Sequence, residues 1–511
     1  MLYLGTFLTG REKRDIIYWN KYVYENGGSF MNIRLIANTS GYILWVEAGF
    51  LLLPLIVSLI YRDGCAQSWL ICAALCAVIG TVLHFIKARR TNLQNRDGYA
   101  TVAFVWVLLV LFGALPYVLS GAIPSYIDAV FETASGLTTT GASVLTEIEH
   151  LPHSVLFWRA QTQWMGGMGV LVLFLALMPH LGGGAVFLMN AESPGPIKSR
   201  IVPRLGDTAK ILYFLYLGLT VAETIALLLA GMPLFDAVTH AFTTISTGGF
   251  SIRNASVAAY GSVVIEWIII VFTVLSSINF SLLFLAICGK FRTVFRSEEL
   301  RTFLAVLAVA SVAICLELHF RMDVPFGRAV TDAVFQVTTI ASTTGYATCD
   351  FALWPSFSRF ILLTLMFIGS CAGSTAGGMK ISRVLLLFKS LKRELNRIVH
   401  PKRVSVITMD GQTVSEQAVT SALAFQVAFV FLIIGGALVV ALDGFTVTES
   451  AAASISCITN VGPALGDLGP AENYAKLNYF SKLVLSLEML MGRLELMPLL
   501  VLLNPATWRN K

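Results

Sequence analysis

Four stretches of the sequence repeat one arrangement of residues that could bind a dehydrated cation. They read DAVFETASGLTTTGAS from Asp128, DAVTHAFTTISTGGFS from Asp236, DAVFQVTTIASTTGYAT from Asp332 and ESAAASISCITNVGPAL from Glu449. Each opens on an acid and reaches a glycine 12 or 13 residues later, in Thr139-Thr140-Gly141, Ser246-Thr247-Gly248, Thr343-Thr344-Gly345 and Asn460-Val461-Gly462. Glycine permits backbone angles closed to other residues, so carbonyls beside it can turn toward an axis. Rings of such carbonyls replace an ion's hydration shell in potassium filters. An acid at the start of a helix suits the positive end of its dipole, and the negative end then points at the cation. One TTG alone reads as a small-residue packing face of a membrane helix. Four copies at matching distances from an acid read as the walls of a single path.

Two further features lie nearer the C-terminus. An apolar run is interrupted by Gly369-Ser370-Cys371-Ala372-Gly373-Ser374-Thr375-Ala376-Gly377-Gly378, followed by Lys380 and Arg383. So much Gly and Ser makes a poor helix. Either Gly369, Gly373 and Gly377 form a packing face, or the segment is unwound, obstructs the path and gates it. Lys380 would anchor its far end. Arg493 falls in the middle of the last apolar run, where a charge costs at least about 2.5–3.5 kcal/mol and must face protein or water. It reads as a structural ion pair with another repeat, or as a fixed positive charge beneath the glycines that joins the gate. Arg159 and Glu266 lie nearer the ends of their runs, where snorkelling suffices.

The elements that must position these groups are membrane helices. The 511 residues are 56% hydrophobic and 13% charged, whereas soluble domains are about a quarter charged. Runs of about 20 apolar residues span a bilayer, and roughly ten occur, near 42–61, 68–86, 101–120, 155–178, 211–231, 264–288, 302–320, 357–388, 419–442 and 480–503. Lys and Arg crowd every second loop: Lys87 to Arg96, Lys198 to Arg204, Lys290 to Arg301 and Lys389 to Arg403. The positive-inside rule puts those loops and both termini in the cytoplasm. Each glycine stretch is too short to span and reads as re-entrant. Irregular backbone at that depth is tolerated only within protein or beside water. The expected architecture is all-α: a cytoplasmic N-terminus (1–40), two extra helices (41–97), and four membrane-pore-membrane repeats (98–205, 206–300, 301–415 and 416–511), the third holding the gating loop.

Other functions fit less well. The eight cysteines form no CxxC pair or Cys/His cluster with zinc spacing. No HExxH, GxSxG, Walker loop or DxxD-type cluster marks an enzyme, so no catalytic residue and no cofactor is expected. The net charge of +6 needs no nucleic acid to explain it, and loop cations suit membrane lipid. The first 35 residues lack the apolar core of a signal peptide. A secondary symporter, coupling potassium to protons or sodium, would use midplane sites in inverted repeats, whereas these repeats run in one direction. Proton coupling also needs intramembrane carboxylates, of which the sequence promises few.

The motifs GLTTTGAS (Gly136–Ser143), STGGFS (Ser246–Ser251), STTGYAT (Ser342–Thr348) and TNVGPALG (Thr459–Gly466) together resemble the Trk/Ktr/HKT superfamily of cation transporters. WMGGMGV (Trp164–Val170), GSCAGSTAGGMKISR (Gly369–Arg383) and MGRLELMPLL (Met491–Leu500) strengthen the likeness. It covers roughly residues 40–505, and the two leading helices favour the bacterial TrkH branch. The resemblance implies potassium bound at the four filters as transported ion and an intramembrane loop at Gly369–Gly378. It also implies a homodimer with one pore per subunit, a cytosolic nucleotide-binding partner of the TrkA type, and the bacterial inner membrane. Sodium-preferring plant relatives carry serine at the first filter glycine, so Gly141 implies potassium selectivity.

Overall fold

The computed structural model describes residues 33–86, 95–169, 205–402 and 405–508. The expected N-terminal segment to residue 32, and the basic clusters at Lys87–Arg90 and Lys198–Arg204, lie outside these residues. The fold is an all-α membrane protein, and its burial pattern inverts that of a soluble domain. Val309, Val312 and Phe320, and Phe431 and Leu438, face outward, while Thr133, Thr138, Thr243, Ser276, Thr339 and Ser456 are fully buried. Apolar surface on this scale, on helices long enough to span a bilayer, suits lipid.

Helices α1 (Ile33–Tyr61) and α2 (Ala66–His84) form an antiparallel pair. Small residues let them approach: a Cβ on Gly41 would lie 2.6 Å from the Gly80 carbonyl oxygen, and Trp45 donates to Thr81 Oγ1 at 3.1 Å. Among the described residues, one unit then recurs four times: long helix, short buried helix, irregular loop, second helix. The first comprises α3 (Asn95–Gly113), the linking turn α4 (Leu115–Leu119), α5 (Tyr126–Leu137) and α6 (His153–Gly167). The second comprises α7 (Leu205–Leu229), α8 (Leu234–Ile245) and α9 (Val263–Ser277), continued by α10 (Phe280–Ile287) and α11 (Phe291–Arg296). Next come α12 (Glu298–Arg321), α13 (Phe326–Ala341), α14 (Ser356–Ile368) and α15 (Ile381–Val399). Last are α16 (Glu416–Ala441), α17 (Val447–Thr459), α18 (Tyr479–Arg493) and α19 (Met497–Leu503).

Six described helices are long and apolar enough to cross a membrane unbroken. The run 264–288 is instead bent by 104° between α9 and α10, where Asn279 caps α10 through Ser281 N–H. The runs 357–388 and 480–503 are also broken, at Gly369–Lys380 and Leu494–Leu496. Among the described residues the strands are confined to a hairpin of β1 (Thr408–Met409) and β2 (Gln412–Thr413), in the register Thr408↔Thr413. Its turn, Asp410-Gly411, has positive φ at both residues, as such a turn demands.

Candidate cation pathway

Each short helix stops because a hydroxyl or amide residue caps it and the next residues leave helical space. Thr139 and Gly141 have φ of 56° and 86°, Thr247 and Gly249 54° and 75°, Thr343 and Gly345 60° and 80°, and Asn460 and Gly462 59° and 103°. A β-branched residue at positive φ is strained and persists only where its surroundings impose it. The pattern corrects one register. In the second loop the counterpart of Gly141 is Gly249, not Gly248, and Ser246 is the helix cap equivalent to Thr138. All four glycines then follow their acids by 13 residues.

The glycines also show how the loops are arranged. A Cβ on Gly141 would strike the carbonyl oxygen of Gly248; on Gly249, that of Thr344; on Gly345, that of Val461; on Gly462, that of Thr140. Each loop touches the next and the fourth returns to the first, which makes a closed ring in chain order. Side chains close the seam between first and last: Asn460 Nδ2 donates to Thr140 Oγ1 at 2.9 Å, and Tyr474 N–H to Ser143 O at 2.9 Å.

The acids do more than complement helix dipoles. Asp128, Asp236 and Glu449 lie in first turns, but α13 starts at Phe326 and puts Asp332 in its second turn. Three acids tie their helix to the chain beyond the glycine: Asp236 accepts from Tyr260 at 2.8 Å, Asp332 from Thr348 at 3.2 Å and Glu449 from Asp467 N–H at 3.0 Å. Asp128 instead accepts from Lys482 at 2.7 Å. Glu132 takes over the tie in the first loop, accepting from Val144 N–H and pairing with Arg159 at 2.9 Å. Arg159 is 1% exposed and Glu266, paired with Arg328 at 3.0 Å, is 2% exposed, so neither snorkels.

Gly369–Lys380 is not helical, which removes the packing-face reading. Gly369, Gly373, Gly378 and Lys380 have φ between 71° and 77°. The segment lies against one side of the ring. Thr375 Oγ1 donates to Ile245 O at 3.0 Å, Gly377 N–H to Thr343 Oγ1 at 2.7 Å, and a Cβ on Gly377 would strike Thr459 O. Ser374 folds back onto Cys371 O, and Lys380 Nζ onto Ala376 O. Arg493, the last residue of α18, donates to Thr375 O at 2.6 Å and to the carbonyls of Gly166 and Gly167. It thus bridges the segment to the end of α6.

Several positioning residues had no sequence signal. Glu299 Oε1 accepts from Ala372 N–H at 2.7 Å and Ser382 N–H at 3.1 Å, gripping the interrupted segment near both ends. Its neighbour Glu298 pairs with Lys389 and donates its N–H to Asp410 at 2.7 Å. Tyr474 OH donates to Gly462 O at 2.8 Å. Intramembrane carboxylates are also more numerous than expected: Glu47, Glu223 and Glu488 are each under 5% exposed. Among the described residues no group of three or more His, Cys, Asp or Glu could hold a metal ion.

A family model described as "TrkH: Cation transport protein" matches residues 66–509. The chain is 40% identical to the Trk system potassium uptake protein TrkH of Salmonella typhimurium, over 94% of this chain and all of that one. It is 33% identical to the Trk system potassium uptake protein TrkG of Escherichia coli, over 94% and 99% of the two chains. The crystal structure of the potassium transporter TrkH from Vibrio parahaemolyticus superposes with a TM-score of 0.83 at 36% identity, covering 94% of this chain and 100% of that one.

Proposed function

Because the chain belongs to the TrkH family of cation transport proteins, we propose that it takes up potassium across a bacterial cytoplasmic membrane through the ring of four loops. The observation that carries this reading is the closed contact of each ring glycine with the carbonyl of the next loop. Four carbonyls, one from each loop around one axis, offer a bare cation an oxygen cage. Helix C-termini aimed at the same axis add partial negative charge.

The segment Gly369–Lys380 acts as gate, with Arg493 as its catch. A guanidinium beneath a cation filter repels an incoming ion, the more so where water is scarce. Its bond to Thr375 O keeps segment and charge together. In this reading both termini are cytoplasmic, the protein works as a homodimer, and a cytosolic nucleotide-binding subunit acts on the gate. It is a transporter and not an enzyme. Rubidium uptake into proteoliposomes, competed with potassium or sodium, tests the filter: Gly345→Ser must lose discrimination, and unchanged preference would overturn the assignment. A second reading, coupling to protons, draws on the buried Glu47, Glu223 and Glu488. Uptake that survives a protonophore at fixed membrane potential excludes it.

A further inference from the structure

The second loop is the odd member of the ring. One residue before the ring glycine, the other loops carry Thr140, Thr344 and Val461; the second carries Gly248. The resulting Gly248-Gly249 unit has no Cβ on either residue and is the least restrained backbone in the ring. Gly248 itself has no positive φ, so the backbone does not require glycine there. Space does: a Cβ would run into the carboxamide of Gln163.

Gln163 comes from α6 and is fully buried. Its Nε2 donates to Gly248 O at 2.8 Å, and its Oε1 accepts from Phe250 N–H at 3.0 Å. The two bonds grip the peptide groups on both sides of Gly249. They also fix the amide's orientation, since only nitrogen can donate and only oxygen accept. Gly248 O is the atom that meets Gly141 in the ring. The α18 counterpart of Gln163 is Met489, three residues before Gly492 as Gln163 is before Gly166. Those two glycines pack alike, on the carbonyls of Ile458 and Leu137. Methionine has no donor to offer, and the first loop, which α18 packs against as α6 packs against the second, carries Thr140 where the second has glycine.

We propose that Gln163 is a positioning residue that sets ion specificity, its carboxamide holding the Gly248–Gly249 peptide so that the Gly248 carbonyl keeps its place in the ring. The proposal rests on the reading of the ring as a potassium filter. A carbonyl oxygen has two lone pairs, so one donor from behind leaves the other for the ion. Without the brace the peptide can rotate and aim an N–H at the path, which repels a cation and leaves three oxygens at that level. A three-oxygen, adaptable level discriminates poorly against the smaller sodium ion.

The test is rubidium uptake by the full-length protein in proteoliposomes, per folded protein, competed with potassium and with sodium. Gln163→Glu keeps the volume and the acceptor for Phe250 but replaces the donor; it loses roughly tenfold in potassium-over-sodium discrimination, about 1.4 kcal/mol. Gly248→Ala displaces the amide while leaving the sequence of α6 unchanged, and shows the same loss. Gln163→Ala joined to Gly248→Thr, which fills the space as the first and third loops do, regains much of it. Should Gln163→Glu and Gly248→Ala both keep wild-type discrimination while Gly345→Ser loses it, the brace is refuted and the filter stands. If Gly345→Ser also keeps it, the filter reading falls and the brace with it.

Discussion

The glycine ring and the segment pressed against it are both irregular backbone inside a helical bundle, yet they are held in opposite ways. The ring is held by repetition. Thr140, Gly248, Thr344 and Val461 each return an N–H to the helix that feeds them, at 2.8–2.9 Å, and each glycine abuts the next loop. The segment Gly369–Lys380 is held by contacts found once each: Thr343, Ser276, Ser277, Glu299 and Arg493, from four different elements. A cooperative ring resists change at one point because its neighbours re-impose the geometry. A set of single contacts can be released one by one, and that suits a part that moves.

The comparison breaks most readily at the ring. Gly141→Ser or Gly345→Ser puts a side chain against a neighbouring carbonyl at positive φ, and potassium-over-sodium discrimination should fall by roughly tenfold or more. Competition uptake measures it. Next in size is the segment. Deleting Gly373–Gly377 should raise rubidium flux severalfold with discrimination kept, and alanine at Gly373 and Gly378, where positive φ costs an alanine about 1–2 kcal/mol each, should raise it less by straining the segment. Wild-type flux in both, at equal expression, would leave the segment without a gating role.

Arg493 sharpens the contrast further. Arg493→Ala removes the charge and the bridge and should raise flux a few fold. Arg493→Lys keeps the charge but not the fork that reaches Thr375 and Gly166 together, so an intermediate flux would separate repulsion from tethering. Thermal stability measured alongside distinguishes both from unfolding. The smallest effect is expected at Glu299. Glu299→Ala leaves the N–H groups of Ala372 and Ser382 without their acceptor, a cost of about 1–3 kcal/mol each. It should loosen the segment and raise flux without altering discrimination; a change in discrimination would mean that ring and segment are not independent.

Much of this was legible in the sequence, in proportion to how local its cause was. The long spans follow from hydropathy, and the break at Gly369 from its glycines and serines. The second loop's register slipped by one because STGG offers two glycines, and only backbone angles choose between them. The break at Asn279 was missed because the run holds no Pro or Gly, merely Ser276, Ser277 and Asn279 among apolar neighbours. Arg159 and Glu266 looked like end-of-helix charges because their partners, Glu132 and Arg328, are 27 and 62 positions away. Gln163 and Glu299 gave no signal at all, since their work is to bond backbone atoms that carry no sequence identity.

The seam of the ring also bears on how the protein is made. Thr140 and Asn460 meet across 320 positions of chain, which a ribosome takes roughly a quarter of a minute to a minute to cover at 5–20 residues per second. Until Asn460 is made, the first loop lacks its partner across the seam and the ring cannot close. The last α-helical hairpin supplies Asn460, Tyr474, Lys482 and Arg493 almost together. In the proposed reading, completing the path and installing its catch are therefore nearly one event in synthesis.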